Sequence, residues 1–184
     1  MMNPTGFIAV SPVGKIPDRL LNIIARAVEK NFSFHTRIAP ILEDISFAFD
    51  PERHQYNSTK ILEKLAEKSS GEYVKVIAVT REDLFIPILT HVYGEAQLGG
   101  KACIVSTARL ESILDTEEKG CNRVMKEALH ELGHTFHLTH CRDESCLMHY
   151  CRKVYDVDKK FFRFCRYCSI FLSDGLKDIG SQKV

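Results

Sequence analysis

The chain of 184 residues contains no apolar run near the roughly 18 residues that a membrane-spanning helix needs. It also has no surplus of either charge. The formal net charge is +1, so no global field draws the chain to nucleic acid or to an anionic membrane. Residues Met1 to Leu21 lack a charged leading region, and their short apolar stretch is broken by proline. They do not read as a secretory signal. There is no internal repeat and no low-complexity segment. Seven cysteines, an odd number, disfavour a complete disulfide framework. A cytoplasmic protein with reduced thiols is therefore expected. With 45% hydrophobic and 27% charged residues, the composition is that of a globular protein able to bury one substantial core.

The first half alternates short apolar runs with helical patterns. Phe7 to Val10 reads as a brief strand. Leu20, Leu21, Ile24, Ala27 and Val28 recur at helical spacing after the Pro17-Asp18 start signal. Phe34 to Ile41 reads as a second strand, Phe47 to Phe49 as another apolar stretch, and Asp50-Pro51 as a turn. Ser58-Thr59 is positioned to cap a helix through Ile61, Leu62 and Leu65. Tyr73 to Val79, dense in β-branched residues, is the clearest strand. Gly99-Gly100 separates two further strand candidates, which suggests a hairpin. These elements predict an α/β (α+β) fold: a mixed, twisted sheet with helices, followed by a mainly helical C-terminal part. Residues 173–184 read as a frayed, flexible tail.

Residues 130–140 carry the chemistry: His-Glu-Leu-Gly-His-Thr-Phe-His-Leu-Thr-His. In H-E-x-x-H two imidazoles stand one helical turn apart, so His130 and His134 can grip one zinc ion. Glu131 is then placed to take a proton from a zinc-bound water. Over 122–136, Val124, Met125, Ala128, Leu129, Leu132 and Phe136 mark one apolar side, and the two histidines fall opposite it. Histidines that served only as core would share the apolar side. His137, seven residues after His130, would stand about 10 Å up a continuous helix, too far to share the ion. If the chain stops near residue 137 and turns back, His140 becomes the third ligand. His137 then sits at the turning position, where positive φ is often required and histidine is better tolerated than most residues.

His130, Glu131, His134 and His140 match the metzincin zinc motif, H-E-x-x-H-x-x-G-x-x-H. Cys146-Leu147-Met148 resembles the downstream Met-turn. The pattern H-C-x4-C-x-M followed by C-x-x-C resembles the archaemetzincins. So does the stretch from Gly99-Gly100 to Leu110, where the family places a sheet-edge strand beside its cleft. The likeness is motif-level over about 90–168 and looser before that. It implies one metzincin-like catalytic domain over 1–172, with an N-terminal part of about 1–137 and a C-terminal part of about 138–172. It implies a catalytic zinc on His130, His134 and His140, with Glu131 as general base and then proton donor. Met148 would pack beneath the metal. Tyr150, two residues on, stands where some metzincin branches have a tyrosine that stabilises the tetrahedral intermediate; a half-buried tyrosine after a turn is the alternative. One residue departs from the motif: His137 replaces its glycine. A left-handed histidine that preserves zinc binding is expected, and the departure bears on catalytic efficiency.

Cys165 and Cys168 stand at i, i+3, so both sulfurs can face one way, while Cys141 and Cys146 bracket a four-residue loop. Four thiolates make a closed, structural zinc site that would clip the segment carrying His140 and Met148 onto the C-terminal helix. His149 and Cys151 are the substitutes if one ligand differs. Cys103, Cys121 and Cys151 read as buried reduced thiols. Arg152, Lys153, Lys159, Lys160, Arg163 and Arg166 read as a solvated helix face. The function expected is a zinc metallopeptidase, monomeric, with two zinc ions, a peptide or protein substrate, and no nucleic-acid or membrane partner. The alternative is a zinc-stabilised peptide- or protein-binding module with little or no catalysis.

Overall fold

The computed structural model describes residues 6–69, 71–112 and 115–181. Strand β1 (Phe7–Val13) leads through helix α1 (Asp18–Phe32) into strand β2 (His35–Ile38), parallel to β1 as a helical crossover requires. Two short strands, β3 (Phe49–Asp50) and β4 (Gln55–Asn57), flank the Asp50-Pro51 turn. Helix α2 (Ser58–Lys68) is capped by Asn57, whose side chain accepts from the Lys60 N–H, one residue ahead of the cap expected. Strands β5 (Tyr73–Thr80), β6 (Leu84–Phe85), β7 (Gly94–Ala96) and β8 (Ala102–Ser106) come next. Helices α3 (Glu117–Thr135), α4 (Val154–Lys159) and α5 (Arg166–Ser181) complete the chain.

Five strands form the main sheet in the order β2-β1-β5-β8-β7. The first four run parallel and β7 runs antiparallel, so the sheet is mixed, as expected. Its central strands are apolar on both faces because helices cover both. Ile8, Val10, Ile77, Val79, Cys103 and Val105 join the cluster with α1 and α3. Ala9, Val76, Ala78, Ala102 and Ile104 join the cluster with α2. Among the described residues no helix is long and apolar enough to cross a membrane.

Two expectations are corrected. The edge strand is β7. Residues 102–106 form β8, which lies between β5 and β7, and Val105 is fully buried opposite Gly94. Ala102 to Ser106 is buried at every position, as a central strand must be, whereas Gly94-Glu95-Ala96 is half-buried and carries a charge. The tail expected to fray from residue 173 instead continues α5 to Ser181. Leu172 is buried and Leu176 packs on the main core at the next turn, so the segment has an apolar stripe to dock. Residues 182–184 of that tail lie outside the described residues.

Candidate active site

Helix α3 starts where Thr116 accepts from the Lys119 N–H, with Glu117 and Glu118 complementing the helix dipole. Val124, Ala128 and Leu132 pack into the core as their spacing requires. The side bearing the histidines is covered as well. Strand β7 and residues of the 147–160 stretch wall it, so His130 is only 4% exposed. Arg123, itself buried, ties α3 to the end of α4. It donates to both Asp158 oxygens at 2.7 and 2.8 Å, to Asp115 at 2.6 Å and to the Leu110 carbonyl.

Helix α3 stops at Thr135, as the sequence suggested. His137 takes φ 67°, the Leu138 N–H donates to the Gly133 carbonyl, and the His137 N–H donates to the His134 carbonyl. This is a complete Schellman cap with histidine at the position glycine usually fills. The His137 imidazole lies directly against Gly99 of the β7–β8 hairpin, whose N–H donates to the His134 carbonyl. The chain then reverses and brings His140 back over the helix. The ring centroids of His130, His134 and His140 stand 4.7, 4.9 and 5.3 Å apart, with at least one ligand-capable atom from each within 4.8 Å of the others.

Second contacts fix the ring orientations. His130 Nδ1 stands 2.7 Å from the Leu147 carbonyl and His134 Nδ1 2.7 Å from the Leu138 carbonyl. A carbonyl only accepts, so both Nδ1 atoms carry the proton and both Nε2 atoms present lone pairs. Those two Nε2 atoms are 3.2 Å apart. Tetrahedral ligands at zinc–nitrogen distances of 2.0–2.1 Å stand about 3.3 Å apart, so the donor set fits zinc. Burial pushes the His130 imidazole well below its usual range, with Lys160 and His134 adding to the effect. Burial also lowers His134 and His140. Neutral imidazoles are the form that ligates a metal.

Glu131 is 7% exposed and lines the same cleft, of about 570 Å³. Burial pushes its carboxyl well above the usual carboxylate range, and Glu127 pushes the same way. A dication beside it would draw it back toward the ionised form. No hydrogen bond to Glu131 occurs among the described residues, and no side-chain oxygen there is both buried and unpartnered, so its carboxyl faces the cleft. Gly94 of β7 makes room for it: a Cβ at residue 94 would lie 2.6 Å from Glu131 Cγ. Tyr93 and Gln97 spend their backbone groups on β8, so by alternation Gly94 and Ala96 turn theirs away from the sheet.

Met148 is fully buried beside α3, where a Cβ on Gly133 would lie 2.6 Å from its sulfur. Tyr150 is 46% exposed, lines the cleft, and has its ring centroid 5.0 Å from that of His140. Cys141, Cys146, Cys165 and Cys168 converge in a second group. Cys141 and Cys165 sulfurs are 3.8 Å apart, the separation of about 3.8 Å that two tetrahedral zinc ligands at 2.3 Å would have. The Cys165 N–H donates to Cys146 sulfur. Burial pushes the Cys146 thiol up to about 11 and Cys168 higher still, so a cation is what would hold those two as thiolates. The two substitutes stay outside it: His149 meets the Cys141 carbonyl through Nδ1, and Cys151 faces the cleft.

Three side chains that spacing did not single out shape the site. Lys160, expected on a solvated face, is fully buried, donates to Glu127 at 2.7 Å, and stands 3.5 Å from His130 Nδ1. Glu127, one turn before Glu131, lines the cleft. Lys75 donates to the carbonyls of Gly100 and Thr135, both at 2.7 Å, joining the hairpin turn to the end of α3.

Comparison with known proteins fits this geometry. A model of Peptidase family M54 matches residues 35–174. The archaemetzincin of Methanopyrus kandleri is 42% identical over 131 residues, covering 71% of this chain and 73% of that one. The chain belongs to peptidase family M54, the archaemetzincins. Its archaemetzincin relative in Methanocaldococcus jannaschii is 33% identical over 171 residues, covering 91% and 93%. The crystal structure of the Methanopyrus kandleri archaemetzincin superposes with a TM-score of 0.85 at 32% identity, over 94% of this chain and 96% of that one. That of the Archaeoglobus fulgidus archaemetzincin gives 0.78 at 31% identity, over 90% and 99%. The family is one of zinc metallopeptidases, and the fold described above is an archaemetzincin's.

Proposed function

We propose that this archaemetzincin hydrolyses peptide bonds at a zinc held by His130, His134 and His140, with Glu131 as the proton-transfer group. The observation that carries the reading is the convergence of two Nε2 lone pairs, 3.2 Å apart, beside a carboxyl that faces the cleft without a protein partner. Zinc, when bound, supplies Lewis acidity that acidifies water and polarises the scissile carbonyl. Glu131 takes the proton from water and returns it to the leaving amine. Strand β7 offers the outward backbone groups of Gly94 and Ala96 to an extended peptide, which would add to the sheet edge. Tyr150 lies near enough to His140 to support the tetrahedral intermediate, and Met148 packs beneath the site.

A second, structural zinc is assigned to Cys141, Cys146, Cys165 and Cys168, which makes two ions per chain. It would fasten the loop that carries His140 and Met148 to α5. Residues 1–172 are read as one catalytic domain acting as a monomer. The seven unpaired cysteines support a reducing, cytoplasmic setting. The complete cap around His137 supports a peptidase over a binding module, because the turn toward His140 is intact.

The test is Glu131→Gln, assayed on a peptide library by mass spectrometry with zinc measured in parallel. Turnover is expected to fall by about 10²-fold or more while zinc stays bound. Undiminished cleavage by the variant would refute the assignment.

A further inference from the structure

The cleft continues past the histidines along α3 toward Glu127. This carboxylate is one helical turn, about 6 Å along the axis, from Glu131. Its Oε1 accepts from Lys160, which is fully buried on the Nδ1 side of His130, turned from the metal. Its Oε2 makes no protein hydrogen bond, and no side-chain oxygen among the described residues is both buried and unpartnered. Oε2 therefore opens to the cleft. Tyr93, half-buried, and Cys151 line the cleft beside it. Arg152 borders the same cleft but is exposed, where solvent screens its charge.

From this arrangement we propose that Glu127 is a specificity-determining residue, the end of a side-chain subsite that takes a long residue ending in a hydrogen-bond donor, lysine first and glutamine next. Length, and the group that each end of the side chain would meet, decide the choice. A side chain leaving the peptide beside the zinc must travel about one helical turn to reach Oε2, which short donors such as serine cannot do. A lysine stem has apolar wall to lie along and a carboxylate at its tip. A leucine, about two bonds shorter than lysine and without a donor, would leave Oε2 with no partner from the ligand. A glutamate would set like charges together. Lys160 makes the buried carboxylate tolerable without blocking it, because it occupies the other oxygen.

This inference rests on the peptidase reading, so its test reads binding separately from turnover. Four peptide hydroxamates, differing only in a lysine, glutamine, leucine or glutamate side chain next to the zinc-binding group, are titrated calorimetrically into the zinc-loaded protein. The lysine compound is expected to bind about tenfold tighter than leucine, with glutamate weakest, as a charged hydrogen bond of about 1.4 kcal/mol would give. Glu127→Gln is expected to remove most of the lysine advantage while leaving the leucine affinity in place. If that variant loses zinc or stability, Glu127→Gln/Lys160→Met removes the stranded charge and takes its place. Equal affinities for lysine and leucine in the wild type, or a ranking unmoved by the variants, would overturn the subsite alone. Failure of all four compounds to bind would overturn the subsite and the peptidase reading together.

Discussion

Gly94→Ala probes how strand β7 holds the carboxyl in place. A methyl at residue 94 would fall 2.5 Å from the Ile104 carbonyl oxygen and 2.6 Å from Glu131 Cγ, about 0.8 Å inside ordinary contact with the latter. The Ile104 oxygen belongs to β8, which is paired on both sides and cannot retreat. The strain is therefore relieved by moving β7 outward or Glu131 inward, by close to 1 Å between them. Overpacking of this kind costs about 1–3 kcal/mol of stability. A misplacement near 1 Å in the reacting geometry costs about 10²-fold in rate. Zinc should stay, because His130 and His134 are oriented by the Leu147 and Leu138 carbonyls and not by β7. Peptide turnover, zinc content and melting temperature, measured on one preparation, decide the matter. Wild-type turnover in the alanine variant would refute the claim that β7 positions Glu131. Loss of zinc along with activity would show that β7 supports the metal ligands instead.

His137→Gly places the usual capping residue in a turn that is already complete. It should therefore change stability by less than about 1 kcal/mol and leave zinc content and turnover near wild type; a sharp rise in hydrolysis would show that the histidine strains the site. Lys75→Met strips a donor from the Gly100 and Thr135 carbonyls and should cost about 1–3 kcal/mol by urea denaturation. Its pH dependence has a definite sign. Burial lowers the Lys75 ammonium from 10.5 to about 8, so the unfolded chain binds this proton more tightly than the folded one. The penalty is complete below about pH 8 and fades toward about 10.5, so wild-type stability relative to the methionine variant should rise through that window. A difference that stays flat or falls between pH 8 and 10.5 would contradict it.

The histidine helix and the convergence of the histidine and cysteine groups could be read from the chain because they depend on short spacings: i, i+4 for His130 and His134, and i, i+3 for Cys165 and Cys168. The turn at His137 was also legible, since only a left-handed residue there brings His140 back. Lys160 was not. It sits in a basic run that looks solvated, and its partner Glu127 is 33 residues away in the chain. Lys75 stayed hidden in the same way, as a charge inside an otherwise apolar strand whose partners are backbone carbonyls. Both strands of the hairpin were legible around Gly99-Gly100, but not which of them lies at the edge, because that depends on the pairing of β8 with β5 far away in the chain. The end of α5 was misread because Gly175 and Ser173 suggest fraying, while the docking of Leu172 and Leu176 decides for helix.

We propose that an open histidine site and a closed cysteine site, side by side on one chain, each hold a zinc ion. Elemental analysis of zinc per chain, on the wild type and on Cys165→Ser/Cys168→Ser, tests it directly. Two zinc ions falling to one in the variant is the expected result. One zinc in the wild type, lost in the cysteine variant, would contradict it, because the histidine site would then hold no metal of its own.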